Sequence, residues 1–129
     1  MTVVDASVVV AALTDQHELG ALAEEALARG TSAPAHLDAE VGQVLRRLES
    51  HGTVAPARAK RALLNLTDLP LERAPLAELL MSAWALRGSI TIYDALYVAL
   101  AQHTESSLVT TDGRLARAAR RHCDVELLN

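Results

Sequence analysis

The 129-residue sequence predicts a single α/β domain over residues 1–129, with a central parallel β-sheet flanked by helices on both faces. Short apolar segments such as Thr2-Val3-Val4 and Ser107-Leu108-Val109-Thr110 alternate with helical ones. No tight hairpin turn joins any two of them, so the strands should run parallel through helical crossovers. The stretch Ile90–Gln102, I-T-I-Y-D-A-L-Y-V-A-L-A-Q, is apolar on nearly every helical face and reads as a buried helix.

Thr2-Val3-Val4 reads as a buried strand ending at Asp5, and Ser7–Leu13 as a short helix. Glu18–Arg29 is an amphipathic helix closed by Gly30, the usual helix terminator. Thr31–Ala35 is a second strand, with Pro34 at odds with an interior position. Leu37–Glu49 carries Leu37, Val41, Val44, Leu45 and Leu48 on one helical face and ends at His51-Gly52. Pro56–Leu66 is a helix with proline in its first turn, where the missing N–H costs nothing. Leu69–Ala74 reads as a strand despite Pro70, and Pro75 opens a helix over Leu76–Arg87. Gly88-Ser89 separates that helix from the buried one. Ser107–Thr110 is a strand, Asp112-Gly113 a turn, Arg114–Arg121 a helix and Val125–Leu128 a last strand.

No apolar run approaches the roughly 18 residues of a membrane span. No basic segment precedes an apolar core at the amino terminus, and the single Cys123 rules out an internal disulfide framework, so a reducing cytoplasm is expected. The five histidines show no zinc-site spacing. Net charge is −4, yet nine of the twelve basic residues fall in two groups, Arg46, Arg47, Arg58, Lys60 and Arg61, then Arg114, Arg117, Arg120 and Arg121. Such groups are either solvated helix faces or a phosphate-binding rim, with Arg46, Arg114 and Arg117 as the candidate phosphate contacts.

The candidate chemistry lies in the acids. Asp94 is the only charge in its apolar stretch, and a buried charge has to be paired, neutralised or bound to metal. Parallel sheets bind ligands beyond the carboxyl ends of their strands, where Asp5 and Asp112 stand, each also suited to cap the next helix. Asp38 and Glu40 lie at opposite borders of one apolar helical face, and the helical wheel does not choose between them. A cluster of carboxylates suits a hard cation, Mg²⁺ or Mn²⁺, able to activate water against a phosphate. Ser7 and Thr110 place hydroxyls near Asp5 and Asp112, either to orient a carboxylate or as local caps.

The residues V-V-D-A-S at 3–7, the Glu of L-D-A-E-V at 37–41, Y-D-A-L-Y-V-A-L-A at 93–101 and L-V-T-T-D at 108–112 resemble the four signature stretches of PIN-domain ribonucleases. The resemblance is strongest to the VapC toxins of bacterial toxin–antitoxin pairs and covers nearly the whole chain. It implies a PIN-like domain acting as an endoribonuclease, with Asp5, Glu40, Asp94 and Asp112 as catalytic and Mg²⁺-binding acids. The resemblance is what favours Glu40 over Asp38. It further implies an RNA substrate, a homodimer and a VapB-type antitoxin that occupies the site. Gly113 departs from the family pattern, where many relatives carry a basic residue, and Arg114 is the available substitute.

Other classes fit the residues less well. A receiver-like phosphotransfer domain needs a lysine late in the sheet, and the only lysine, Lys60, falls inside a helix. A haloacid-dehalogenase-like phosphatase wants a second Asp where Ser7 stands. A catalytically inactive PIN-like binding domain keeps the fold but not the acids, and all four acids are present.

Overall fold

The structure, a computed structural model, describes residues 1–129. Its elements in chain order are β1 (Thr2–Val4), α1 (Ala6–Thr14), α2 (Glu18–Ala28), β2 (Thr31–Pro34), α3 (Leu37–Ser50), α4 (Pro56–Asp68) and β3 (Glu72–Ala74). A single 3-10 turn (Leu76–Glu78) leads into α5 (Leu80–Ala85), α6 (Ile92–Thr104), β4 (Ser107–Thr110), α7 (Gly113–Ala119) and β5 (Val125–Leu127).

The five strands form one all-parallel sheet in the order β3-β2-β1-β4-β5. Strand β1 is central, pairing Thr2 with Thr31 on one side and Thr2, Val3 and Val4 with Ser107, Leu108 and Val109 on the other. The strand order reverses beside β1, so right-handed crossovers carry the helices before β3 and those after it to opposite faces. That reversal, between β1 and β4, opens the crevice where open α/β sheets bind ligands. Asp5 directly follows β1 and Asp112 lies just past the end of β4, on either side of it.

The core is made of small and branched side chains. Val3, Val4, Val8, Val9, Leu108 and Val109 are wholly buried, and every residue of α6 from Ala95 to Ala101 is buried. Helix α6 packs on β1, β2 and β4, which explains why a helix apolar on all faces is stable here. Most of the expected elements are present with small shifts. Pro34 is accommodated inside β2 because Ala35 donates its N–H to Ala74 of β3, so alternation turns the Pro34 nitrogen towards β1, beyond the last β1 pair, Val3 with Ser32. The helix expected over Leu76–Arg87 is broken: the 3-10 turn changes the helical phase so that Leu79 is buried while Leu80, Met81 and Trp84 face outward. The strand expected over Leu69–Ala74 is confined to Glu72–Ala74, and the one expected to reach Leu128 stops at Leu127.

Gly20, near the start of α2, lets this helix fold tightly back on the end of α1, for a Cβ there would lie 2.0 Å from the Asp15 carbonyl oxygen. The neighbouring atom is backbone and cannot swing away. Gly20→Ala should therefore destabilise the fold by about 1–3 kcal/mol, although alanine is otherwise the better helix former by about 1 kcal/mol. A melting curve no lower than that of the wild type would show that the α1–α2 turn relaxes freely.

Candidate active site

A cavity of about 460 Å³ opens at the carboxyl edge of the sheet. Asp5, Glu40, Asp94 and Asp112 all line it, each from a different part of the fold. At one end it is polar; Val10, Ala11, Leu19, Val44 and Leu48 extend it along α1, α2 and α3 as an apolar wall. Every polar side chain in the lining offers oxygen, from carboxylate, hydroxyl or phenol, with no histidine, cysteine, lysine or arginine among them.

Asp5 is the most deeply held of the acids, 6% exposed. One carboxylate oxygen accepts from Ser7 Oγ at 2.6 Å and from the Val8 N–H at 3.3 Å, so Asp5 does cap α1. The other accepts from Thr110 Oγ1 at 2.7 Å, tying β1 to β4. Ser7 Oγ also accepts from the Thr111 N–H at 2.9 Å, and Thr110 Oγ1 from the Asp112 N–H at 3.0 Å. The two hydroxyls thus orient Asp5 and fix the backbone that carries Asp112. Burial raises the Asp5 pKa from 3.8 to about 6, with the Asp112 charge adding to it, against the lowering effect of the Ser7, Thr110 and Val8 hydrogen bonds.

Asp112 caps α7 through the N–H groups of Arg114 and Leu115. Asp94 is not itself the cap of α6: Thr91 Oγ1 accepts the Asp94 N–H at 3.2 Å, which places Asp94 in the first turn. Its pKa is raised by burial first and then by Glu40 and Asp112, while Arg114 and His36 lower it. None of the three salt bridges in the chain involves Asp5, Asp94 or Asp112.

The two border acids of α3 part company. Asp38 takes Arg73 Nε of β3 on both oxygens, at 2.9 and 3.1 Å, and is outside the cavity lining. Glu40 lines the cavity and accepts the Tyr97 hydroxyl at 2.5 Å. Tyr97 and His36 are neighbours of the site that sequence reasoning misses. Tyr97 stands among core residues, and its one signal is its position three residues after Asp94, on the same helical face. His36 Nε2 is 3.5 Å from Glu40 Oε1, and its ring packs on Tyr97 with centroids 4.9 Å apart. Among the candidate basic residues, Arg114 shares a smaller hollow with Asp94, Ser89 and Thr91. Arg46 lines a separate hollow between α3 and α4, and Arg117 is exposed on α7.

The oxygen-only donor set fits a hard divalent cation. The acids line the cavity as an open rim, and no group of three or more His, Cys, Asp or Glu side chains is gathered to hold an ion. Mutual repulsion of unneutralised carboxylates acts against a tighter grouping.

The sequence model of the PIN domain matches residues 2–121. The chain is 42% identical over 117 residues to Ribonuclease VapC3 of Mycobacterium tuberculosis, a match spanning 90% of this chain and 85% of that one. The fold is similar to that of VapC20 of Mycobacterium tuberculosis, a sarcin–ricin loop cleaving toxin, with a TM-score of 0.69, 17% identity, and 92% and 95% of the two chains covered. It is also similar to VapBC2 from Rickettsia felis, solved bound to a DNA fragment from its promoter, with a TM-score of 0.69, 14% identity, and 99% and 98% covered.

The raised pKa of Asp5 has a consequence for stability without metal. The folded protein keeps the Asp5 proton up to about pH 6, whereas the unfolded chain releases it near 3.8. The stabilisation from this group is full below 3.8 and is lost as pH rises through about 6, a total of about 3 kcal/mol. In EDTA, Asp5→Asn should flatten this fall in Tm and melt no lower than the wild type above pH 6. Parallel Tm-against-pH curves for the two proteins would contradict it.

Proposed function

This chain belongs to the PIN domain family, and on that premise we propose that it is a metal-dependent endoribonuclease toxin, held in check by a VapB-type antitoxin. Asp5, Glu40, Asp94 and Asp112 would hold Mg²⁺, with Mn²⁺ as a substitute, and RNA phosphodiester bonds would be hydrolysed there. The observation that carries this reading is the cavity at the strand-order reversal, where these four acids meet and every polar side chain of the lining, Asp15 included, offers oxygen and none nitrogen or sulfur. Buried Asp5 has no cation of the chain beside it, so a charge from outside is what its site lacks.

When bound, the ion supplies positive charge against the scissile phosphate and acidifies the attacking water. The chain's own groups position and orient. Ser7 and Thr110 fix both oxygens of Asp5, and the Asp112 N–H bond to Thr110 fixes the start of α7. Arg114, which shares a hollow with Asp94, would bind an RNA phosphate, and Arg117, exposed one turn further along α7, another. Arg46 lies by its own hollow and would reach only a more distant part of the RNA. The VapBC relative supports an antitoxin partner, the family resemblance alone implies a homodimer, and the lone cysteine is compatible with the cytoplasm. No helix is long and apolar enough to cross a membrane. The open spacing of the acids favours a second reading, a PIN-like domain that binds RNA without cutting it.

Cleavage separates the two readings. The wild type should cut RNA with Mg²⁺ or Mn²⁺ and stop in EDTA. Asp94→Asn removes one of the repelling charges, so its Tm in EDTA should be unchanged or higher while cleavage and metal-induced stabilisation vanish. RNA binding with no metal-dependent cleavage by the wild type would establish the second reading. A mutant that melts several degrees lower in EDTA yet still cuts would make Asp94 architecture.

The basic rim is tested by salt. Arg114→Glu should weaken RNA binding and reduce the slope of log affinity against log salt by about 0.7 for each single-strand phosphate that the arginine neutralises. An unchanged slope would return Arg114 to the solvated surface.

A further inference from the structure

Tyr97 is a large side chain in the middle of the core, 1% exposed, yet its hydroxyl reaches the cavity. It donates to Glu40 Oε1 at 2.5 Å, a bond that joins α6 to α3 across 57 residues of chain. The one hydrogen bond that the chain makes with the Glu40 carboxylate, from Tyr97, falls on Oε1, and so does the 3.5 Å approach of His36 Nε2, which is itself bonded to the Tyr93 carbonyl at 3.0 Å. Oε2 is left for a ligand. Asp94 and Tyr97 stand three residues apart in α6 and so share a face, which puts the hydroxyl that grips Glu40 on the helix that carries Asp94.

Those two acids repel each other. A cation between them would relieve the repulsion but would also fill the site, whereas a neutral phenol draws Glu40 in and leaves the charge of the cavity intact. A phenol carries its proton throughout the working pH range, so Tyr97 stays a donor. The His36 ring, packed on that of Tyr97, restricts the tilt of the phenol.

We propose that Tyr97 is a positioning residue of this site, its hydroxyl holding Glu40 beside Asp94 so that one free oxygen of Glu40 faces the ion and the RNA. The proposal rests on the ribonuclease reading. Were Tyr97 only a core side chain that satisfies its hydroxyl on the nearest acceptor, removing that hydroxyl would alter stability and nothing else.

The test compares the wild type, Tyr97→Phe, Glu40→Gln and the double variant. Three quantities are measured: Tm in EDTA, Mn²⁺ affinity by electron paramagnetic resonance, and kcat and KM on a cleaved RNA. Phenylalanine keeps the ring, so Tm should fall by no more than a few degrees. Mn²⁺ binding should weaken about tenfold and kcat should drop tenfold or more with KM little changed. In the Glu40→Gln background, the same change should add nothing to either loss. Wild-type Mn²⁺ affinity and kcat in Tyr97→Phe would overturn the proposal, as would equal losses in both backgrounds, because Tyr97 would then not act through Glu40. A Tyr97→Phe protein unfolded at the assay temperature would also overturn it, by making the hydroxyl architectural. A wild type that neither binds Mn²⁺ nor cuts RNA would overturn the functional reading and this proposal together, whereas the other adverse results leave that reading standing.

Discussion

Asp5 ends the central strand of the sheet with its carboxylate buried and no positive group of the chain against it. Desolvation of this kind costs several kcal/mol unless hydrogen bonds offset it. Here the offset comes from Ser7, Thr110 and the first turn of α1, and those partners are what hold the edge together. Through them one side chain links β1, α1 and β4. The same hydroxyls then reach the Thr111 and Asp112 N–H groups, so the start of the last helix is set by the same network. The remaining geometry of the cavity follows: with β1 and β4 locked edge to edge, the acids after them face each other across the point where the strand order reverses.

Most of the fold is legible in the sequence because its signals are local. Period and run length identify α6 and the strands β1 and β4, and Gly30 and Pro56 mark helix ends. The parallel sheet follows from the absence of hairpins. Where sequence and structure differ, the deciding contact is not local. The helix expected over Leu76–Arg87 breaks because Leu79 turns into a core assembled by other elements. Pro34 looks out of place only while its partner strands are unknown, and its nitrogen lies where β1 asks for no bond.

The site shows the same division. Asp5 and Asp112 are visible from strand ends, and Asp94 from being the one charge in an apolar helix. Without the family resemblance, choosing between Asp38 and Glu40 needs Arg73, which lies 35 residues beyond Asp38 and donates one N–H to both of its oxygens. A helical wheel has no access to that partner. Tyr97 and His36 escape notice because a tyrosine in an apolar run and a histidine at a helix start are ordinary core and boundary residues. Their significance appears only when the ends of α3 and α6 are seen meeting at the carboxyl edge of the sheet. The capping role of Asp5 and Asp112 is real and coexists with their place in the cavity, so the bland and the chemical interpretations of those residues are not alternatives.

The bond between Asp5 and Thr110 spans 105 residues, and β1 pairs directly with β4. Contacts of such long range form late and slow the acquisition of a fold. During synthesis, residues 1–106 therefore precede the second wall of the cavity. A nascent chain that stalls short of β4 has an unpaired central strand edge and an incomplete set of acids, with neither the shape nor the charge of the finished site. The order of the strands along the chain thus delays the completed cavity until β4 has been made, and the four acids have no common site before then.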